Sequence, residues 1–271
     1  PELPELPAPK APLLRVEGSD WALLRRLHGA DELIFRPEDL SAEGLSQVSP
    51  DRPFALALPM TCSAEALDRL CDWAQANQAN LTAVYISNPG QLVVPFPGTR
   101  RADFSLNLAN REALAFLAGQ GITEYTPSVE LTAQELRQMD ASGGSRELIV
   151  YGRLPLMLCL RCAVSDGGEK CPRKRQGLAR TGYVFGAKAP CVSSLTDRRG
   201  TTFPIVGMPD CSNVIYNSVP TYMADRTDRL RRSGVAIMHF IFTDETGAAA
   251  DGIINAYKNG RPPVSDCRRM Q

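Results

Sequence analysis

Short apolar segments alternate with amphipathic segments along most of the chain. The apolar segments are four to eight residues long, and most are followed by a stretch with helical spacing of its apolar residues. Strands joined by helical crossovers run parallel, because the crossover returns the chain to the same end of the sheet. The predicted strands are residues 13–16, 32–35, 54–58, 83–86, 103–106, 122–125, 147–151 and 235–242, and the predicted helices are residues 19–27, 63–77, 110–118, 132–139 and 247–258.

Eight predicted strands are the number that closes a parallel barrel. We therefore predict an α/β fold, a (β/α)8-like barrel, with an open doubly wound sheet as the alternative. The residues between the seventh and eighth strands have β character of their own, at 191–196, 201–206 and 213–216. This predicts a cysteine-rich β insertion after the seventh strand, at the barrel face where active sites of this architecture are built. The predicted parts are a Pro-rich linker at 1–12, a barrel at 13–151 and 234–260, and the insertion at 152–233.

Composition indicates a globular protein. The chain has 271 residues, 44% of them hydrophobic, with equal numbers of acidic and basic side chains, which excludes a disordered or collagen-like chain. The longest apolar runs are far shorter than the roughly 18 residues of a membrane helix, so we expect a soluble protein without a membrane partner. The five prolines of residues 1–12 predict an extended linker and hint at an upstream domain of the same chain.

Charge is unevenly distributed, with nine basic and three acidic residues between Arg161 and Arg199. A basic segment in an acidic body attracts an anion, an RNA backbone or a protein partner, although a solvated surface loop explains it equally well. The substrate-binding candidates in this segment are Arg173, Lys174, Arg175 and Arg180.

Five of the eight cysteines lie between residues 159 and 211. The chain shows no secretory signal, so we expect a reducing, cytoplasmic compartment, where clustered thiols suggest a metal before a disulfide. Thiolates suit iron–sulfur clusters or zinc, and four of them complete a coordination set. A mixture of buried free cysteines is the alternative. The five are Cys159, Cys162, Cys171, Cys191 and Cys211.

Several motifs around these cysteines are distinctive. The chain reads Tyr151-Gly-Arg-Leu-Pro-Leu-Met157, then Arg161-Cys162, then Leu195-Thr-Asp-Arg-Arg-Gly200 with Phe203-Pro204, and then Ile215-Tyr-Asn-Ser-Val-Pro220. Upstream it reads Ser105-Leu-Asn-Leu-Ala-Asn110 and Ser128-Val-Glu-Leu131. Together these segments resemble the U32 family, the collagenase-like peptidases, over about residues 80–245.

The resemblance implies a barrel-like fold and a four-cysteine iron–sulfur cluster of the 4Fe–4S type, as in members that hydroxylate cytidine in RNA or support ubiquinone hydroxylation. Carried onto this chain, it implies Cys162, Cys171, Cys191 and Cys211 as ligands. Many relatives have a further close cysteine pair after the second ligand, which this chain lacks, so Cys159 is a substitute for Cys191. It also implies that the chain is the C-terminal part of a longer protein.

The peptidase label of that family has little support in the residues themselves. The chain has no His-Glu-x-x-His, Gly-x-Ser-x-Gly or Ser-x-x-Lys motif, and its only histidines are His28 and His239. We take His239 and Glu130 as catalytic candidates, with a satisfied barrel-lumen histidine as the alternative for His239. Glu130 is expected to be a buried acid because it follows an apolar strand. Tyr216 is a candidate for stacking on a base or a quinone ring.

Three functions follow. The first is an iron–sulfur barrel that hydroxylates RNA or a small aromatic molecule. The second is a U32 peptidase acting on unfolded or collagen-like chains. The third is a noncatalytic metal-binding half of a longer enzyme.

Overall fold

A computed structural model of the protein describes residues 11–139, 144–163, 192–208, 211–232, 234–243, 245–261 and 267. Nearly all of the predicted linker at 1–12 therefore lies outside the described residues. Of the described helices, none is both long and apolar enough to cross a membrane.

Eight parallel strands form a closed barrel, which confirms the predicted fold class and excludes the open sheet. The barrel strands are β1 (Leu13–Gly18), β2 (Glu32–Phe35), β3 (Phe54–Ala57), β4 (Leu81–Ile86), β5 (Thr99–Ala102), β6 (Glu124–Tyr125), β7 (Ser145–Gly152) and β13 (Ile237–Ile241). The barrel closes because β7 pairs with both β6 and β13, and β13 pairs in turn with β1.

Helices cover the outside of the barrel, and side-chain caps begin most of them. Ser63, Asn110, Thr132 and Thr246 each accept a hydrogen bond from a backbone N–H of the first turn, as expected for these residue types at an N-cap. The helices are α1 (Trp21–Leu24), α2 (Ala42–Ser46), α3 (Ala64–Ala76), α4 (Arg111–Gly119), α5 (Ala133–Gln138), α6 (Thr227–Arg232) and α7 (Gly247–Lys258).

One predicted strand is wrong. Residues 103–106 do not form the fifth strand; Phe104–Leu106 is a 3-10 turn capped by Asp103, and the strand is Thr99–Ala102 just before it. The sequence Thr-Arg-Arg-Ala has no apolar pattern, because Arg101 is a buried, charged side chain and not a member of the hydrophobic core.

The insertion contains the strands β8 (Pro155–Cys159), β9 (Val192–Thr196), β10 (Thr202–Gly207) and β11 (Asn213–Tyr216). They form a second, antiparallel sheet with the order β8-β11-β10-β9. The last three strands are close to the predicted bounds, whereas β8 was not predicted. The chain returns to the barrel through β12 (Thr221–Tyr222), which pairs with the end of β7. The insertion thus begins and ends at the carboxyl end of the seventh barrel strand.

Gly152 allows the chain to leave the barrel at this point. Its φ is +125°, and a Cβ there would lie 2.3 Å from the carbonyl oxygen of Ile241 on the neighbouring strand β13. Only glycine fits this close approach of two backbones, which gives a physical reason for the glycine in the Tyr-Gly-Arg-Leu-Pro motif.

Candidate active site at the barrel mouth

A cavity of about 370 Å³ lies at the carboxyl ends of the barrel strands. Residues after β1, β2 and β3 form one side of it, and one face of the insertion sheet forms the other. The volume is within the roughly 300–1,000 Å³ range of small-molecule sites. The insertion therefore lies where the sequence predicts it, at the barrel face where active sites of this fold are built, and it forms one wall of the cavity there.

The wall formed by the insertion is apolar. Leu158 and Val214 are cross-strand partners and both line the cavity, and Tyr216 lines it two residues further along β11. Phe104 and Phe242 from the barrel side add aromatic surface. Tyr216, a predicted substrate-binding residue, is thus placed in the cavity wall.

The opposite side carries charge of both signs. Arg36, Arg69 and Arg153 line the cavity together with the carboxylates of Glu17, Glu38 and Asp39. The Arg153 guanidinium donates to the carbonyl of Asn217 at 3.0 Å, and Arg69 donates to that of Leu40 at 3.1 Å. The lining therefore has no net charge and suits a ligand with apolar surface and a few polar groups.

Arg36 forms the floor of the cavity and is held by an ion-pair network. Its Nε and Nη2 donate to the two carboxylate oxygens of Glu17 at 2.6 and 3.1 Å, and Nη2 also donates to Asp103 at 3.1 Å. Its Nη1 donates to the Leu58 carbonyl at 2.6 Å and to Ser87 Oγ at 3.4 Å. Bidentate pairing of this kind fixes the plane of a guanidinium.

His239 lies directly beneath this floor, in the barrel lumen. It is fully buried, with Nε2 at 3.2 Å from Glu17 and Nδ1 at 2.8 Å from Glu147. Burial alone would lower the pKa of His239, but the Glu147 and Glu17 carboxylates outweigh it and raise the pKa to about 9. The imidazole is therefore an imidazolium at neutral pH, held between two carboxylates.

The two partner carboxylates are ionised for the same reason. Burial by itself would raise the pKa of Glu17, but Arg36 and His239 together lower it to about 2. The pKa of Glu147 is also lowered, because His239 and Arg15 outweigh the effect of burial. A carboxylate with such a low pKa is a poor proton acceptor, so the Glu17–His239 pair is a fixed ion pair at neutral pH.

A second layer of charges fills the lumen nearer the amino ends of the strands. Arg15 contacts Glu147 at 2.7 Å, Glu32 at 2.6 Å and Glu124 at 2.7 Å, and Arg101 contacts the last two at 2.7 and 3.0 Å. Tyr85 donates to Glu147 at 2.8 Å. Burial and the nearby Glu147 raise the pKa of Tyr85, so its hydroxyl remains protonated and acts as the donor.

Two of the predicted metal ligands lie in segments that the structure brings together. The side-chain amide of Asn213 donates to the carbonyls of Arg161 and Cys211 at 3.2 and 3.1 Å, and Arg161 directly precedes Cys162. Asn213 is itself buried and pairs with Cys159 across β8 and β11. The segments that carry Cys159, Cys162 and Cys211 therefore meet at one end of the insertion sheet.

The backbone at Cys211 is unusual. Its φ is +68°, in the left-handed region that non-glycine residues rarely adopt, and its N–H donates to Met208 at 3.0 Å in the turn between β10 and β11. Residues on either side of the turn, Met208 and Ser212, line the cavity. The cysteine-bearing end of the sheet is therefore next to the cavity.

The remaining predicted insertion residues lie outside the described residues. These are Cys171 and Cys191 together with Arg173, Lys174, Arg175 and Arg180. Val192, the residue after Cys191, pairs with Val206 near the same end of the sheet as Cys211. Among the residues that the structure describes, no group of three or more metal-ligating side chains is present. The four-cysteine set remains a prediction.

The two catalytic candidates do not meet. The expectation that Glu130 is a buried acid is wrong: its side chain is exposed, because the chain turns after Ser128 and leaves the barrel there. His239 is buried beneath the cavity floor and is not among the cavity-lining residues, as expected for the lumen alternative.

The sequence interpretation missed the most prominent residues of the floor and lumen. Arg15 and Glu17 alternate with buried apolar residues in β1, where a charged residue at every second position marks the side facing the lumen. Arg36 and Asp103 directly follow β2 and β5, at the carboxyl ends of strands. The alternation of charged residues in β1 and the charged residues directly after β2 and β5 were therefore the sequence features that could have predicted the floor and the lumen.

Comparison with known proteins returns fold similarities only. No protein-family model and no curated protein matches the chain. The solved structure of the U32 peptidase Mk0906 is similar with a TM-score of 0.46 and 11% identity, over 91% of this chain and 98% of that chain. Chitinase ChiW from Paenibacillus sp. str. FPU-7, a cell-surface-expressed multi-modular enzyme, has a TM-score of 0.30 and 10% identity, over 92% of this chain and 43% of that chain. At such identities function has to be argued from the site.

Proposed function

We propose that this protein is a U32-type iron–sulfur barrel that acts in hydroxylation of a ring-bearing substrate, either a cytidine of RNA or a small aromatic molecule. One observation carries the proposal. The end of the insertion sheet where the segments of Cys159, Cys162 and Cys211 meet also contributes Met208 and Ser212 to the cavity wall. A redox centre at that end is adjacent to a substrate in the cavity.

The residues present fit a thiolate-bound centre. We assign Cys162, Cys171, Cys191 and Cys211 as ligands, with Cys159 as the substitute for Cys191. The buried Asn213 amide holds two of these segments in place, a role typical of side chains that support metal ligands. An iron–sulfur cluster supplies electron transfer, whereas zinc, the alternative metal, supplies none, so hydroxylation favours the cluster.

The residues of the cavity have a separate task, which is to bind and orient the substrate. The apolar face of Leu158, Val214 and Tyr216 excludes water from one side of a bound ring. The charged residues of the barrel side other than Arg36 and Glu17 offer hydrogen-bond partners to polar groups at the edge of the ring. At about 370 Å³ the cavity admits one ring system, such as a base taken out of a strand, and not a folded nucleic acid.

A measurement of RNA binding distinguishes the two proposed substrates, RNA and a small aromatic molecule. The residues proposed to bind RNA are the basic residues Arg173, Lys174, Arg175 and Arg180. If they bind an RNA backbone, affinity for RNA falls steeply with salt, because each neutralised phosphate releases counterions. Binding of RNA that is absent or insensitive to salt would leave the small aromatic molecule as the substrate. A protein partner, including an upstream part of the same chain, is the other occupant that we propose for this segment.

The decisive experiment is iron and sulfide analysis of anaerobically purified protein, together with its visible absorption spectrum. We expect iron and acid-labile sulfide in the unaltered chain and their loss in Cys162→Ser and Cys211→Ser. Cys71→Ser is the matched control, because Cys71 is buried in α3 among barrel residues and should leave the iron content unchanged.

A colourless protein that lacks iron and sulfide would refute the cluster, and bound zinc would turn the proposal towards a structural metal site. If the iron content fell in Cys71→Ser as much as in Cys211→Ser, the loss would reflect misfolding. Comparing this chain with a longer chain that includes upstream residues tests whether it is a noncatalytic half.

Proteolysis gains no support from the cavity. The only two histidines of the chain are His28, on the surface beside Asp251, and His239, beneath the floor. A serine or cysteine nucleophile in the cavity, such as Cys62, therefore has no imidazole beside it in the lining.

A further inference from the structure

The guanidinium of Arg36 has no N–H group available to a ligand. An arginine side chain has five N–H donors, and five hydrogen bonds join this one to the protein. Two of the acceptors are the buried carboxylates of Glu17 and Asp103. The whole in-plane edge of the group is therefore occupied before any ligand enters.

Arg36 nevertheless faces the cavity. Its side chain is 21% exposed, while those of Glu17 and Asp103 are 4% and 0% exposed. Because the donors of the guanidinium point within its plane and are all bound, the part that remains for a ligand is the flat face. A flat cationic face attracts the π face of an aromatic ring and gives no bidentate hydrogen bonds to a carboxylate or phosphate.

The orientation of this face is fixed from below. Glu17, which binds Arg36 through both oxygens, also contacts His239 Nε2 at 3.2 Å, and His239 contacts Glu147 on its other side. These groups are buried and ionised, so the guanidinium cannot turn its edge to the cavity without leaving a buried carboxylate unpaired.

We infer that Arg36 is a stacking platform, on which the planar ring of the substrate lies against the guanidinium face. This inference rests on the proposed function only in taking the ring to be the substrate of the same cavity. It makes the site selective for planar aromatic or heteroaromatic rings over saturated rings of equal size and over simple anions. The apolar wall of Leu158 and Val214 favours the same class of ligand.

The test uses a matched pair of uncharged probes, 2-naphthol and decahydro-2-naphthol, in NMR titrations of the intact chain. A ring stacked on Arg36 shifts the Arg36 Nε–Hε resonance upfield, whereas the saturated probe lacks a ring current. The resonance is assigned by triple-resonance NMR on the isotope-labelled unaltered chain. The variant Arg36→Lys keeps the charge and loses the plane, and we expect it to bind 2-naphthol about tenfold more weakly, the size of a desolvated cation–π contact.

Arg100→Lys is the control outside the cavity, because Arg100 donates to the Leu92 and Gln120 carbonyls, is not a cavity-lining residue and should not change the affinity for 2-naphthol. The inference is overturned if 2-naphthol does not bind, if it binds without shifting the Arg36 resonance, or if inorganic phosphate binds in an Arg36-dependent way. The titration of the unaltered protein decides the matter even if Arg36→Lys does not fold. Iron and sulfide are measured on the same sample, so loss of the cluster proposal and loss of the stacking platform are separate outcomes.

Discussion

Replacing His239 with glutamine tests whether the barrel lumen depends on a buried imidazolium. His239 is fully buried and lies between Glu17 and Glu147, at 3.2 and 2.8 Å. Glutamine has nearly the same length and can hydrogen-bond to one carboxylate, but it has no charge. The substitution therefore removes a cation and leaves the packing largely intact.

The magnitude follows from the pKa of His239, which is raised from 6.5 to about 9 on folding. A shift of this size corresponds to about 3 kcal/mol of the free energy of unfolding, at about 1.36 kcal/mol for each unit. Because the pKa is higher in the folded state, this stabilisation is fully present below pH 6.5 and is lost as the pH rises through 9. The difference in stability between the unaltered chain and His239→Gln should therefore shrink by about 3 kcal/mol between pH 6 and pH 10.

The assay is urea unfolding at pH 6, 8 and 10, followed by the fluorescence of Trp21 and Trp73, which pack in the core on either side of Phe54. His28→Gln is the control, because His28 is 88% exposed and should change stability by less than about 0.5 kcal/mol at every pH. A difference between the unaltered chain and His239→Gln that does not change with pH, or a variant as stable as the unaltered chain at pH 6, would refute the reasoning.

Three further predictions follow from single contacts. Gly152→Ala should lower the free energy of unfolding by about 2 kcal/mol or more, measured by urea unfolding, because its Cβ would meet the Ile241 carbonyl oxygen and its φ is +125°; wild-type stability would contradict this. Asn213→Leu should weaken retention of iron about tenfold in a chelator competition, because the amide that joins the Arg161 and Cys211 carbonyls is lost; unchanged retention would show that the tie is not needed. Glu147→Gln should destabilise the barrel by about 3 kcal/mol and lower the pKa of His239 measured by NMR, because Arg15 and His239 lose a shared carboxylate; a His239 pKa that does not fall would place the main partner elsewhere.

The fold was largely predictable from the sequence because the barrel strands are apolar and regularly spaced. The segment Phe54–Ala57 is entirely buried and reads as a strand without ambiguity. The strand Thr99–Ala102 was missed because half of it is arginine, and intrinsic patterns assign such a segment to a loop. Its Arg101 is stabilised by Glu32 and Glu124, which lie 69 and 23 positions away in the sequence, so only the closed barrel reveals the partners.

The site was only partly predictable for a related reason. Tyr216 was predicted to stack on a base or a quinone ring; it lines the cavity, and its contact with a ligand stays a prediction. Arg36 was missed, because an arginine followed by proline after a strand has the appearance of an ordinary loop residue. The signal for Glu130 was misleading, because the apolar residues before it end in a turn at the barrel surface. Local sequence does not specify which of the residues that follow the barrel strands line the cavity.

The ion pairs in the barrel lumen suggest different roles for the barrel floor and for the insertion wall of the cavity. Parallel barrels usually fill the lumen with branched apolar side chains, whereas here three arginines and a histidine face five carboxylates. Because Glu17 and Arg36 are saturated by one another and by their neighbours, the floor offers the substrate a rigid surface and no exchangeable proton at neutral pH. The proposed electron transfer is therefore assigned to the opposite wall, the insertion sheet whose end carries Cys159 and Cys211. On the proposed function, the barrel floor positions the substrate and the insertion holds the redox centre, so variants of the floor should act on binding and variants of the cysteines on turnover.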